Sequence, residues 1–563
     1  MSIQSQISTE SHPGEKTKKY DRQLRLWGDH GQSALEMAKV CLVNANATGT
    51  EIMKNLILPG VGSFTIIDDN KVGGEDVGNN FFLDKDSIGK SRAHAATEFL
   101  LELNEDVNGD FIEESVDNLL QNNPTFFNNF TVVIACGLTE KSLLDLANLL
   151  WDNDIPLLVC RSYGLIGYLR IVLKEHTVIE SHPDSALDDL RLDSPFPGLS
   201  DYCKNLDLEA MSKKDHSHTP WLVILYKFIQ DWKRSHNGEL PKNYKEKNQL
   251  KELIREGIRK SENGVPEQED NFDEAIRHVN TALTHTKVPS EVQQIFDDPC
   301  CRQLTSESKP FWILARAVQE FVANEGSGSL PLRGNIPDMT ADSERYIQLQ
   351  NVYRDQSNQD ICTVTNYIQT LLQSLGRDEP LSVSSEHRSP SSSPGQPQDN
   401  ISDSDIKLFC RNASFLRVIR TRSLSQEYAA SCSKITDLAS RLDNTDEDDE
   451  LVHYIMLRVV DRFRTEFNRY PGAEPDSMEP DIAKLKGCLC KMLQEWGVNP
   501  ICVKDDFVHE YCRYGASELH SVAAFMGGAA AQEVIKMIVC QFIPVNNTFI
   551  YNAMKQSSLS VEL

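Results

Sequence analysis

The 563-residue chain has no excess of positive charge: 57 Lys and Arg stand against 83 Asp and Glu, a net charge of -26. A deficit of that size repels a phosphate backbone unless a local basic stripe overrides it, so no nucleic-acid partner is expected. No uninterrupted apolar run approaches the ~18 residues that a bilayer-spanning helix requires, and no membrane partner is expected either. The leader, Met1 to Lys19, lacks the apolar centre of a secretory signal, so the chain is expected to stay inside the cell. Its 14 cysteines follow no regular framework. The close pairs Cys300-Cys301 and Cys488-x-Cys490 lack the twin Cys-x-x-Cys spacing that wraps a tetrahedral zinc, so reduced thiols and no metal are expected.

What is present is length, several times the ~100 to 150 residues of one domain, and an ordinary apolar content of 40%. Lys39-Val-Cys-Leu-Val43 reads as a buried strand, Ile52, Leu56 and Ile57 as one face of a helix, and Ser63-Phe-Thr-Ile-Ile67 as a second strand. Strand, helix and strand so closely spaced make a parallel β-α-β unit. A helix over Ser87 to Leu103 and strands at Phe130 to Ile134 and Ile155 to Val159 continue the alternation. The fold class is therefore α/β, a Rossmann-like doubly wound domain over 20–178 behind a flexible leader of 1–19.

From 179 to 500 the texture becomes helical and charged, as in Trp221 to Trp232 and Phe311 to Val322, which predicts a large helical insertion. Within it 378–405 is rich in Ser and Pro and almost free of apolar residues, so disorder is expected there. A return to the first domain is placed at 501–563, with a small-residue helix or helix pair over Ser517 to Cys540 and a last strand at Phe549-Ile-Tyr551.

A nucleotide-binding β-α-β unit needs glycines directly after its first strand, where the backbone approaches the phosphates. Here the turn is Asn44-Ala45-Asn46-Ala47-Thr48-Gly49. Gly49 serves helix–strand packing, whereas Asn44 and Asn46 stand where glycines would face phosphate. Asparagine tolerates left-handed backbone but puts a side chain in the ligand's path. The site reads as disabled. Asp68, at the end of the second strand, occupies the place of a ribose-binding acid, or equally of a turn residue.

Tyr20-Asp-Arg-Gln-Leu-Arg-Leu-Trp-Gly28, Lys54-Asn-Leu-Ile-Leu-Pro-Gly-Val-Gly62, Ile88-Gly-Lys-Ser-Arg92 and Gly527-Gly-Ala-Ala-Ala-Gln-Glu-Val-Ile-Lys536 together resemble the adenylation fold of ubiquitin-type activating enzymes. Gly78-Asn-Asn-Phe-Phe82, His216-Ser-His-Thr-Pro-Trp221 and His509-Glu-Tyr-Cys-Arg-Tyr-Gly515 are similar to the regulatory subunits of the heterodimeric activating enzymes of neddylation. Such enzymes adenylate a ubiquitin-like protein and pass it to a cysteine. The resemblance implies a heterodimer with a catalytic subunit that itself binds ATP and Mg, with the Nedd modifier and, through the complex, a conjugating enzyme as further partners. It also implies cullin modification downstream and a place in the cytoplasm and nucleus. This chain would hold no cofactor of its own.

Departures from the active members agree. Asp76-Val77-Gly78-Asn79-Asn80 lacks their phosphate-orienting Arg, and Ala135-Cys136-Gly137 offers no Asp for Mg. Lys90 is the one surviving group, and alone it cannot neutralise a triphosphate. Cys301, two residues after Pro299 and beside Arg302, approaches a nucleophile motif but has Arg where Thr belongs; a structural thiol is expected. His216-x-His218 lacks a third ligand, which favours a packed turn over a metal site. Arg22, on an amphipathic segment anchored by Tyr20, Leu24, Leu26 and Trp27, is either a surface ion-pair partner of Asp21 or Asp29 or, as the resemblance implies, a residue lent to the ATP of the catalytic half. Asp338, Met339, Asp342, Tyr346 and Ile347, with His218, are the expected partner face. Two other readings stay open from the residues themselves: a self-sufficient adenylating or NAD-dependent enzyme, and a non-catalytic adaptor.

Overall fold

The structure, a computed structural model, describes residues 18–183, 187–283, 286–377, 401–429, 450–498 and 503–563. They divide into two units, one of residues up to Val178 together with Val418–Leu563, the other of residues between Ile179 and Arg417.

The first unit is built on an eight-stranded sheet: β1 (Lys39–Val43), β2 (Ser63–Ile67), β3 (Asn108–Ile112), β4 (Val132–Cys136), β5 (Leu157–Tyr163), β6 (Ile166–Val172), β7 (Thr548–Asn552) and β8 (Ser557–Val561). Their order is β8-β7-β6-β5-β4-β1-β2-β3. β3, β2, β1, β4 and β5 are parallel, while β6, β7 and β8 join antiparallel. β1 shows why the sheet is covered on both faces. Its side chains alternate, Val40 and Leu42 entering one apolar cluster and Cys41 and Val43 the other. The first cluster is completed by α2 (Ala47–Ile57), α3 (Arg92–Leu101) and α6 (His520–Val539). The second is completed by α4 (Leu451–Phe467) and α5 (Met478–Glu495), through Ile455, Val459, Phe463, Leu485 and Leu489.

This last packing shifts a boundary. The sequence reading places 179–500 in one insertion, but the chain rejoins the first unit at Val418, because α4 and α5 bury their apolar faces against its sheet. β3, β6 and β8 were also not anticipated. β3 and β8 are weakly apolar edge strands, and β6 follows β5 through a two-residue turn in which Gly164 takes φ 58°.

α6 is one helix rather than two. By length and composition it could cross a bilayer, which corrects the expectation that no segment could; 67% of its apolar window is buried, and it packs on α2 and on the sheet. A Cβ on Gly527 would stand 2.6 Å from Glu51 Cβ, so the small residue is what lets α6 approach α2.

The second unit is helical. Trp221–Ser235 and Asp270–Ala282 pack with Ser343–Ser374, a helix of 32 residues, around Trp221, Leu225, Phe272 and Tyr353. Pro310–Ala323 buries Phe311, Leu314, Ala315 and Val318 at the helical spacing read from the sequence. Of the expected disordered stretch, 378–400 lies outside the described residues. At 401–405 the chain is folded: Ile401 is buried, and Ser402 caps the helix Asp403–Arg411 through a reciprocal bond with Asp405. The leader through Thr17 is likewise outside the described residues, whereas Lys19 Nζ bonds Asn104 Oδ1 and Asp106 Oδ2 at 2.6 and 2.7 Å.

Candidate functional site

In a doubly wound sheet the ligand crevice opens where the strand order reverses, at the C-terminal ends of the strands. Here that is between β1 and β4, which brings the turn after Val43 beside Gly137. Asn44 takes φ 71°, the left-handed turn expected of it, and its Nδ2 donates to the Cys136 carbonyl at 2.7 Å, tying the two strand ends together. Asn46 caps α2, its Oδ1 accepting from Gly49 N at 2.9 Å. A Cβ on Gly49 would stand 2.6 Å from the Asn44 carbonyl oxygen, so the surviving glycine serves close helix–strand packing.

The N-terminus of α2 is already occupied by an acidic side chain of the chain itself. Glu518, from the segment leading into α6, places its carboxylate against Ala47 N at 3.2 Å, Asn46 Nδ2 at 2.9 Å and Thr48 Oγ1 at 2.7 Å. Backbone amide, side-chain amide and hydroxyl converge on it as a helix N-terminus converges on phosphate. Burial pushes the Glu518 carboxyl above its ordinary value, opposed by Thr48, by the Ala47 and Thr48 amides and by the charge of Arg92. The folded state therefore holds this proton more tightly than the unfolded chain does. The group's contribution to stability falls as pH rises from the ordinary glutamate value through the raised one.

The acid that could have held a ribose is committed elsewhere. Asp68 is buried and accepts from Ala45 N at 2.9 Å, Asn70 N at 2.9 Å and Arg92 Nε at 2.7 Å. Arg92 also reaches Asp76 at 3.1 Å. Burial disfavours the charge of Arg92, but Asp68 and Asp76 outweigh it and raise its pKa. Asn80 closes the crevice from the other side, accepting from Thr50 Oγ1 at 3.0 Å and donating to the Ala45 carbonyl at 3.1 Å. Lys90 is exposed, near the start of α3. These residues do not fit ATP: a triphosphate would meet the Glu518 carboxylate, with Asp68 already held by Arg92.

Glu518, Arg92 and Asn80 were missed as site residues. Glu518 lies 470 positions from Thr48, and no spacing rule reaches that far. Arg92 and Asn80 stood within quoted motifs, but nothing local marked one as the partner of Asp68 and the other as a brace.

Arg22 sits at the start of α1 (Asp21–Met37), whose helix is interrupted at Gly28, φ 67°. The segment is anchored as expected by Tyr20, which bonds Asp106 and Asn104 at 3.0 Å, and by Trp27, whose Nε1 donates to Gln32 Oε1 at 3.1 Å. Leu26, read as an anchor, is 60% exposed instead. Asp21 is taken by Arg25 at 3.1 Å, and among the described residues exposed Arg22 pairs with no carboxylate.

In the second unit Cys301 is buried, with Cys300 exposed beside it. Burial pushes the Cys301 thiol up to about 12 against the pull of Arg316 and Arg302, and Arg302 is bonded to Asp297 at 2.6 Å. A thiol so placed is a poor nucleophile at neutral pH. His216 bonds Glu269 Oε1 at 2.7 Å and stacks on Phe272, a packed turn; among the described residues no group of three potential ligands could hold a metal. His218 and Asp342 do come together, Asp342 N donating to the His218 carbonyl at 2.9 Å. Asp342 caps the helix Ser343–Ser374; Met339 and Tyr346 rest half-buried on the helical core, while Ile347 is 54% exposed.

Comparison with known proteins follows the same lines. The ThiF family model matches residues 20–563. The chain is 56% identical to the NEDD8-activating enzyme E1 regulatory subunit of Gallus gallus, over 97% of this chain and 98% of that one. It is 56% identical to that of Xenopus laevis, over 97% and 99%. It is 41% identical to the NEDD8-activating enzyme E1 regulatory subunit AXR1 of Arabidopsis thaliana, over 98% and 97%.

Proposed function

The chain belongs to the ThiF family and, within it, to the NEDD8-activating enzyme E1 regulatory subunits, with a role in the activation step of neddylation; from that premise we propose that it is the half of a heterodimer that has given up its own nucleotide. In this reading the catalytic partner binds ATP and Mg, adenylates NEDD8 and carries the cysteine that receives it, after which a conjugating enzyme passes the modifier toward cullins. This chain contributes Arg22 in trans to the partner's ATP, and Asp338, Met339, Asp342, Tyr346, Ile347 and His218 to the shared face. It works in the cytoplasm and nucleus. Arg22 supports its own assignment by its placement: it is exposed on a segment pinned by Tyr20 and Trp27, with the adjacent residue Asp21 already paired to Arg25.

The observation that carries the proposal is the Glu518 carboxylate seated on the N-terminus of α2. A protein built to bind a triphosphate there leaves those donors open. The chain by itself is expected to show no saturable uptake of Mg-ATP in calorimetric titration. Micromolar binding would overturn the reading in favour of a self-sufficient enzyme.

The thiols give a second check. Changing Cys300 and Cys301 together to Ala is expected to leave thioester formation by the heterodimer intact, because Cys301 is buried and its thiol is protonated. Loss of the thioester in a folded double variant would make one of them the acceptor.

A further inference from the structure

The second unit contains a cavity of about 280 Å³ that none of the roles above uses. On the same measure a single water needs only ~15 Å³. Its wall is partly apolar, with Leu330, Pro331, Ala413 and Phe415, and it carries four cationic and three acidic side chains.

Those charges are unevenly committed. Arg191 grips Asp189 at 2.7 and 2.9 Å and also reaches the Leu330 carbonyl. Asp193 accepts from Thr286 N and Oγ1 at 2.8 and 2.9 Å. Arg333, Arg411 and Lys287 make no hydrogen bond or ion pair among the described residues, and the exposed Asp188 is the one remaining carboxylate in the lining. Arg333 is the informative one. Its Nε is buried with no hydrogen-bond partner, and its guanidinium lies 4.7 Å from the Phe415 ring centroid. Burial, then the like charge of Arg411, draws its pKa below the ordinary value, while Asp188 and Asp189 oppose.

The backbone that presents Arg333 is fixed. Leu332 N donates to Asp360 Oδ2 at 2.9 Å, and Gly334 takes φ 79°, where a Cβ would stand 2.8 Å from Ser357 Cβ. The Arg333 guanidinium thus stands at the wall of a partly apolar cavity with a second guanidinium, Arg411, in the same lining and, among the described residues, no counter-ion bonded to either, an arrangement that attracts an anion.

We infer that this cavity binds a small organic phosphate monoester, its phosphate between Arg333 and Arg411 with Lys287 alongside, and its organic part against Leu330, Pro331 and Phe415. Paired planar guanidinium forks suit the tetrahedral dianion, and the apolar wall gives preference over bare phosphate.

The test is calorimetric titration of the full chain at low salt with phenyl phosphate and, separately, with inorganic phosphate. Phenyl phosphate is expected to saturate a single site, with inorganic phosphate ~10-fold weaker or more. Arg333→Gln is expected to weaken phenyl phosphate by ~10-fold or more, and Arg411→Gln, an exposed change that should not disturb folding, by severalfold. No saturable binding to the wild-type chain would overturn the site. Unchanged affinity in Arg411→Gln, whether or not Arg333→Gln folds, would overturn it as well. Equal affinity for inorganic phosphate would overturn its organic specificity.

Discussion

Arg22→Ala is expected to leave the heterodimer assembled and to slow modifier adenylation by ~10²- to 10³-fold. A guanidinium inserted into a water-poor triphosphate site stabilises charge that water cannot reach, which is why one donor commands so large a factor. Nothing in the chain's own fold depends on it, since Arg22 is exposed and Arg25, not Arg22, holds Asp21. Arg22→Lys should restore only part of the rate, because an ammonium lacks the planar fork. Pyrophosphate exchange at saturating modifier is the measurement. A variant heterodimer that exchanges at the wild-type rate, with the same apparent ATP affinity, returns Arg22 to the ordinary surface.

The largest stability effect should come from the first unit's interior. Arg170 on β6 is fully buried, and its guanidinium is held by Glu427 at 2.7 and 2.8 Å, with Tyr454 donating to the other carboxylate oxygen at 2.9 Å. Glu427→Ala would leave a buried cation without its counter-ion, a loss of about 3 to 5 kcal/mol. The double variant Arg170→Met with Glu427→Leu should recover most of it, because replacing both charges by apolar groups removes the desolvation cost along with the attraction. Urea unfolding of the two variants beside the unaltered chain decides: a loss below ~1 kcal/mol for Glu427→Ala, or no recovery in the double variant, would mean that the pair is not the support it looks to be.

Both effects show how far the sequence could be read. Arg22 was legible as a candidate only through the family resemblance, since Tyr20 and Trp27 mark an anchored segment without saying what its arginine meets; the pairing of Asp21 with Arg25, four residues on, was open to local reading. Arg170 was not legible. It sits in a strand whose every residue is buried, and the partner that makes a charge tolerable there is 257 positions away. The rejoining of the chain at Val418 escaped for the same reason, since an amphipathic helix announces that it has an apolar face and not which core that face will enter.

By itself the sequence determined the strand–helix alternation of the first unit, the helical texture of the second, and the loss of glycines at Asn44 and Asn46. These are consequences of periodicity and backbone freedom, properties that act over a few residues. Only the tertiary structure decided that Glu518 seats on the N-terminus of α2, that Asp68 is held by Arg92, and that β6, β7 and β8 extend the sheet antiparallel. Those arrangements depend on which distant donor meets which acceptor once the cores close. A buried carboxylate gains its stabilising partners through space, so no local pattern in the chain can foretell them.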